Sequence, residues 1–194
     1  MTPKEDTSET KRSHPKFIVF LAFIIIVILV VLVLHRKDLL SPKPSPPHPR
    51  PQPGEAAPNF TFPALDGKLV TLADYRGKVV LLNIWATWCP SCVEEMPSLQ
   101  KLYQELKGEP FEILAVSIDK RGAKAVAPFM RNNGLTFPAL LAAAEKCQEL
   151  YGITGVPESF IIDKKGIVEK VAIGPLDWAS PEIIRHLREL MKSE

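Results

Sequence analysis

The 194 residues carry a formal net charge of +2, and 46% of them are apolar, enough for one packed domain with an appendage. Charge is split unevenly: residues 1–54 hold 8 Lys and Arg against 4 Asp and Glu, while residues 55–194 hold 16 against 18. The larger part is nearly neutral and lacks a basic stripe, so nothing electrostatic calls for nucleic acid. Three cysteines are too few for a disulfide framework, and an ordinary core must stabilise the fold.

After a short tail, 1–16, residues 17–34 form an unbroken apolar run of 18 between Lys16 and His35-Arg36-Lys37. As a helix rising about 1.5 Å per residue, the run reaches roughly 27 Å, close to a bilayer's hydrocarbon thickness. A cleaved signal peptide has a shorter apolar region followed by a small-residue cleavage site. Neither is present, so the run reads as an uncleaved transmembrane anchor. Residues 35–58 follow as a linker, with eight prolines within 41–58. Such a segment builds neither helix nor central strand and favours an extended, semi-rigid spacer. A ligand for a proline-recognising module is the other reading.

From residue 59 to 194 the pattern is globular. Apolar stretches at 60–65 and 68–72 flank Asp66-Gly67, a hairpin signal. Residues 79–85, Val-Val-Leu-Leu-Asn-Ile-Trp, have the near-continuous apolar character of a buried strand. A helix is expected from 90 to 107, a second buried strand at 111–118, and a helix at 123–132 stopped by Asn133-Gly134. A short strand at 137–140 and a helix over 142–151 ending at Gly152 come next. Residues 159–162 and 167–173 read as a hairpin about Asp163-Lys164-Lys165-Gly166, and Ser180-Pro181 opens a last helix to about 192. Strands alternating with helices give an α/β domain.

Between the first buried strand and its helix lies Trp85-Ala86-Thr87-Trp88-Cys89-Pro90-Ser91-Cys92. Two cysteines at this spacing can close and open a disulfide. Pro90 suits a first helical turn, whose free N–H groups favour a thiolate at Cys89. The pair could instead be half a zinc site, but no second Cys pair or closely spaced His pair completes four ligands. No metal or cofactor is expected. Cys147 lies in a helical pattern and reads as a small buried hydrophobe, with a redox role as the alternative.

The segments Ala57-Pro58-Asn59-Phe60, Leu72-Ala73-Asp74-Tyr75-Arg76-Gly77-Lys78, Asn83 to Cys92 and Gly155-Val156-Pro157-Glu158-Ser159-Phe160-Ile161-Ile162-Asp163 occur in one order along the domain. In these the chain resembles the membrane-anchored thioredoxin-like proteins of the TlpA/ResA/DsbE (CcmG) group. The resemblance implies a thioredoxin-like fold with an N-terminal hairpin and a central insertion between 118 and 151. It implies a thiol–disulfide oxidoreductase outside the cytoplasm, reducing protein disulfides such as those of apocytochrome c and re-reduced by a transmembrane thiol carrier. By that likeness Cys89 is the exposed attacking thiolate, Cys92 the resolving thiol, and Pro157 a cis-proline offering backbone to substrate. Trp88, Pro90, Val156 and Glu158 would border the substrate, although Glu158 reads nearly as well as a surface strand residue.

Glu95 matches a family acid and, three residues after Cys92, shares its helical face. Where thioredoxin has a buried Asp the chain has Asn83, which cannot titrate, so Glu95 is the candidate for proton handling; a solvated surface glutamate is the alternative. Basic residues flank the apolar run on both sides, a near tie under the positive-inside rule. The domain is expected outside the cytoplasm because a tethered thiol enzyme has work in an oxidising compartment. Two other functions use the same thiols: soft ligation of Cu(I) by an assembly factor, and peroxidase chemistry. Ala57-Pro58-Asn59-Phe60 also suits a peroxidase, but such enzymes use an isolated cysteine.

Overall fold

The computed structural model describes residues 15–39 and 50–193, with the side chains of the first helix described over 19–31. The chain divides into two units, Met1–Pro44 and Ser45–Glu194. In the first, helix α1 covers Pro15–Leu39, and all side chains from Val19 to Val31 are exposed. Among the described residues no helix is long and apolar enough to cross a membrane. Most of the expected tail (1–14) and the middle of the expected linker (40–49) lie outside the described residues.

The second unit opens with a hairpin, β1 (Thr61–Pro63) and β2 (Leu69–Thr71), paired antiparallel and turned at Asp66-Gly67, where Gly67 takes a φ of 83°. A 3₁₀ turn at Leu72–Tyr75 leads to β3 (Val79–Trp85). There follow α2 (Pro90–Glu105), β4 (Phe111–Ser117), α3 (Ala123–Asn132), β5 (Ala139–Leu141), α4 (Ala144–Tyr151), β6 (Glu158–Ile162), β7 (Val168–Ile173) and α5 (Pro181–Lys192). Strands β3 to β7 form one sheet in the order β5-β4-β3-β6-β7. The pairs β3–β4 and β4–β5 are parallel, and β3–β6 and β6–β7 are antiparallel. This is a thioredoxin-like α/β fold.

The central strand shows why a near-continuous apolar run was needed. All seven residues of β3 are buried, and their alternation divides the core in two. Val79, Leu81 and Trp85 pack with Met96, Leu99 and Leu102 of α2, Val126 of α3 and Leu187 of α5. Val80, Leu82 and Ile84 pack on the other face with Phe60 and Phe62 of the hairpin and Cys147 and Tyr151 of α4. Asn83 shares the odd-numbered face and is therefore aimed toward α2. That parity places its amide beside the functional helix.

Three sequence expectations change. Ser180 occupies the N-cap of α5, but its side chain makes no capping bond. The fifth strand and the fourth helix each begin two residues later than expected. Residues 50–58 are built into the domain instead of ending a spacer. Gly54 N–H donates to the Val168 carbonyl (2.8 Å), Val168 N–H to Glu55 (2.9 Å) and Ala57 N–H to Gly166 (2.9 Å). Pro51 and Ala57 are buried. The proline signal was real, but extended backbone can also line a sheet edge.

Candidate functional site: a disulfide where a strand becomes a helix

Cys89 and Cys92 are joined as a disulfide. Cys89 is the N-cap of α2, and its Sγ accepts from the Cys92 backbone N–H at 3.2 Å. Pro90 stands at the first helical position, where it has no N–H to leave unpaired. The unpaired N–H groups and partial positive charge of the helix start face Cys89, so a thiolate formed there on reduction is stabilised. Cys92 is fully buried and Cys89 is 4% exposed. The expectation of an exposed Cys89 is thus corrected in the oxidised chain: Cys89 is the more accessible of the two, but it too is buried.

The peptide between Val156 and Pro157 is cis. The Val156 carbonyl oxygen lies 3.5 Å from Cys89 Sγ, so this loop sits directly against the disulfide. Pro157 is buried and its carbonyl accepts from Gly174 N–H at 2.9 Å. Val156 is half-buried, and Pro90 and Trp88 are exposed. Trp88 is 63% exposed and borders an open groove of about 750 Å³, floored by Ile118, Leu141 and Ala142 and rimmed by Lys120, Arg121 and Glu145. An exposed indole beside such a groove supplies apolar contact area next to the reacting sulfurs.

Glu95 is only 3% exposed, so it is not a solvated surface glutamate. One carboxylate oxygen accepts from Asn83 Nδ2 at 2.8 Å. The other accepts from Trp178 Nε1 at 3.0 Å and Leu176 N–H at 3.3 Å. Asn83 Nδ2 also donates to Ser159 Oγ at 2.9 Å, tying α2 to β3 and β6. Burial raises the pKa of Glu95, against the lowering effect of the bonds from Trp178, Asn83 and Leu176. A buried acid with neutral donors and no cation can hold a proton at higher pH than a surface carboxylate. That suits proton handling beside a dithiol.

Glu158 is 1% exposed, which overturns its reading as a surface strand residue. Its Oε1 accepts from Thr154 N–H (2.8 Å), Thr154 Oγ1 (3.2 Å) and Gly155 N–H (3.3 Å). Arg50 Nη2 lies 3.0 Å from Oε1 and 2.9 Å from Oε2. One oxygen is occupied by its own loop, the other meets only Arg50, and burial keeps both away from a substrate. Its work is to brace the turn that precedes Pro157.

Asp119, 8% exposed, was missed by the sequence reading. It accepts from Thr87 N–H at 2.9 Å, Thr87 Oγ1 at 2.6 Å and Ser117 Oγ at 2.8 Å, pinning the turn that carries Trp88 and Cys89. A signal existed. Parallel pairing of two buried strands brings their carboxyl ends together, and an acid just past the second strand falls beside the motif just past the first. Cys147 is fully buried, and burial pushes its thiol up to about 12, so it stays protonated and inert. Among the described residues no three His, Cys, Asp or Glu side chains gather to hold a metal ion.

Residues 53–171 match the AhpC/TSA family. The thiol–disulfide oxidoreductase ResA of Bacillus thuringiensis (strain Al Hakam) is 42% identical over 121 residues, covering 62% of this chain and 69% of that one. The thiol–disulfide oxidoreductase ResA of Geobacillus thermodenitrificans (strain NG80-2) is 37% identical over 137 residues, covering 71% and 77%. Among solved structures, a thioredoxin-family thiol:disulfide interchange protein from Chlorobium tepidum TLS superposes with a TM-score of 0.62 at 30% identity, over 74% of this chain and 98% of that one.

Proposed function

Because the chain belongs to the AhpC/TSA family and is a thiol–disulfide oxidoreductase of the ResA type, we propose that it works as an extracytoplasmic reductant of protein disulfides. Apocytochrome c is the substrate class in view, and a transmembrane thiol carrier is the electron donor. The observation that carries the chemistry is the Cys89–Cys92 disulfide at the start of α2, with the cis Val156–Pro157 loop against it. In the reduced protein the Cys89 thiolate attacks one sulfur of a substrate disulfide, forming a mixed disulfide and releasing the other substrate sulfur as thiolate. Cys92 then attacks Cys89 Sγ. The Cys89–Cys92 bond forms, the mixed disulfide breaks, and the substrate leaves with two thiols while this protein is oxidised. The ionised Glu95 carboxylate takes up the proton that Cys92 loses as it attacks.

We read the unbroken apolar run of residues 17–34, from the sequence alone, as a single-pass anchor. We place the amino terminus in the cytoplasm and the domain outside, where a reductant has disulfides to meet. Two measurements test the proposal. Cys92→Ser should accumulate mixed disulfides with substrate while Cys89→Ser accumulates none; equal trapping by both would sink the assignment of roles. A thiol-reactive probe that cannot cross membranes should label the reduced domain in intact cells, and labelling only after lysis would reverse the orientation.

A further inference from the structure

A residue inside the Pro-rich segment, between Pro49 and Pro51, reaches into the active site's supporting structure. Arg50 follows Pro49, and its side chain is 21% exposed. Gln52 Nε2 donates to the Arg50 carbonyl at 2.9 Å, and Gln52 N–H donates to Glu55 at 2.8 Å. The edge bonds from Gly54 to Ala57 hold this strap along the start of β7 from behind. So fixed, the guanidinium meets both oxygens of Glu158 and lies 3.4 Å from Thr154 Oγ1. Glu158 in turn receives the backbone N–H groups of Thr154 and Gly155, and the next two residues are Val156 and Pro157.

We propose that Arg50 is a positioning residue for disulfide exchange, holding through Glu158 the 154–157 loop that a polypeptide substrate would meet beside Cys89. The proposal rests on the exchange reading above and adds a part that the cysteine motif does not contain. Without Arg50 the buried carboxylate keeps its loop bonds but loses the one cation paired with it among the described residues, a costly arrangement. The carboxylate would be drawn toward water, pulling the 154–157 backbone with it. Reaction at the sulfur itself needs no loop. Docking of a peptide chain does. The effect should therefore fall on substrate binding and spare the intrinsic reactivity of Cys89.

The full-length chain, pre-reduced, is mixed with either 4,4′-dithiodipyridine or a short peptide carrying one intramolecular disulfide. In Arg50→Ala the half-saturating peptide concentration should rise about tenfold, since a misplaced docking element costs binding and orientation. The limiting rate and the dithiodipyridine rate should stay within about twofold, the small effect of a change remote from the sulfurs. Arg50→Lys should recover part of the loss, because an ammonium supplies charge without the planar fork. The double variant Arg50→Ala/Glu158→Gln should recover most of it, since a neutral amide oxygen still accepts from Thr154 and Gly155. Arg50→Ala indistinguishable from wild type with both substrates would overturn the proposal, as would equal losses with both. A double variant no better than Arg50→Ala would overturn it too. If Arg50→Ala does not fold, the double variant is compared directly with wild type, and its recovery or failure decides. A wild-type chain that attacks neither disulfide sinks the exchange reading itself, a separate outcome.

Discussion

Glu95 and Glu158 are both almost fully buried, 3% and 1% exposed, yet the structure holds them in opposite ways. Glu95 is met only by neutral donors: an amide, an indole and one backbone N–H. Glu158 is met by backbone, a hydroxyl and a guanidinium. Neutral donors soften the cost of burying a charge without removing it, so Glu95 keeps a raised pKa and can exchange a proton. A cation compensates the charge directly, and the carboxylate becomes a fixed strut. Two identical side chains near one disulfide thus divide the labour of moving a proton and holding a loop.

The largest effect should come from destroying the strut. Glu158→Ala leaves Arg50 without its partner and the Thr154 and Gly155 N–H groups unbonded, a loss of about 3 kcal/mol in unfolding free energy by analogy with broken ion pairs. Glu158→Gln should cost less, because the loop bonds survive. Urea denaturation of the two variants checks this, and equal losses would mean that the loop bonds add little beyond the ion pair.

Converting the proton site into a like-charge pair comes next. Asn83→Asp puts a second carboxyl at the position now 2.8 Å from Glu95, and two carboxylates so close cannot both ionise. Near neutral pH the variant should lose about 2 kcal/mol or more of stability, since a buried uncompensated charge carries a cost of that order. The pair should titrate with apparent values belonging to both acids. Stability should recover as pH falls and one proton is bound. A pH-independent loss would show that shape, not charge, is responsible.

Trp178→Phe is smaller. It removes one donor to Glu95 while keeping most of a fully buried ring. A bond to a charged acceptor contributes about 1.5–3 kcal/mol, and protonation of Glu95 offsets part of its loss. Because the Trp178 bond lowers the pKa of Glu95, its removal should push that pKa further up. Carboxyl-detected NMR titration measures the direction, and an unchanged titration would mean that the indole is only packing.

How far these partners could be read from the sequence depends on their distance along the chain. Cys89, Cys92 and Glu95 lie within seven positions of one another, and the burial of 79–85 follows from its near-continuous apolar run, so this half of the site was legible locally. So was Pro157, but only through resemblance. Trp178 meets Glu95 across 83 positions of sequence, and no local pattern announces such a pairing. Glu158 read as a substrate-border or surface strand residue, because a lone glutamate at the start of a strand says nothing about which cation reaches it. Arg50 was hidden by its neighbours. Proline composition identified extended backbone correctly, but composition does not say whether extended backbone lies free or along a sheet edge.

The smallest stability effect and the sharpest comparison come from adjacent residues. Glu94 is exposed and Glu95 is buried, although the two share a side chain and nearly a position. For an acid whose folded pKa is raised, the folded state binds more protons than the unfolded state between the two values. Stability therefore falls as pH rises through that window and levels off above the folded pKa. In the wild type Glu95 should contribute such a decline, beginning near the ordinary glutamate value of 4.5. Glu95→Gln should lose that contribution, so its stability advantage over wild type should grow with pH. A thiolate forming near an ionised Glu95 feels its charge, so the same variant should shift thiol titration in the reduced protein to lower pH. Where proton delivery limits the rate, disulfide reduction should slow by about tenfold or more, the low end for a lost general acid or base. Glu94→Gln should change stability by no more than about 0.5 kcal/mol, as surface substitutions do, and leave thiol titration where it was. Unfolding curves and iodoacetamide alkylation rates across pH separate the two variants. If both track the wild type, the buried position of Glu95 has no bearing on the chemistry of the cysteines.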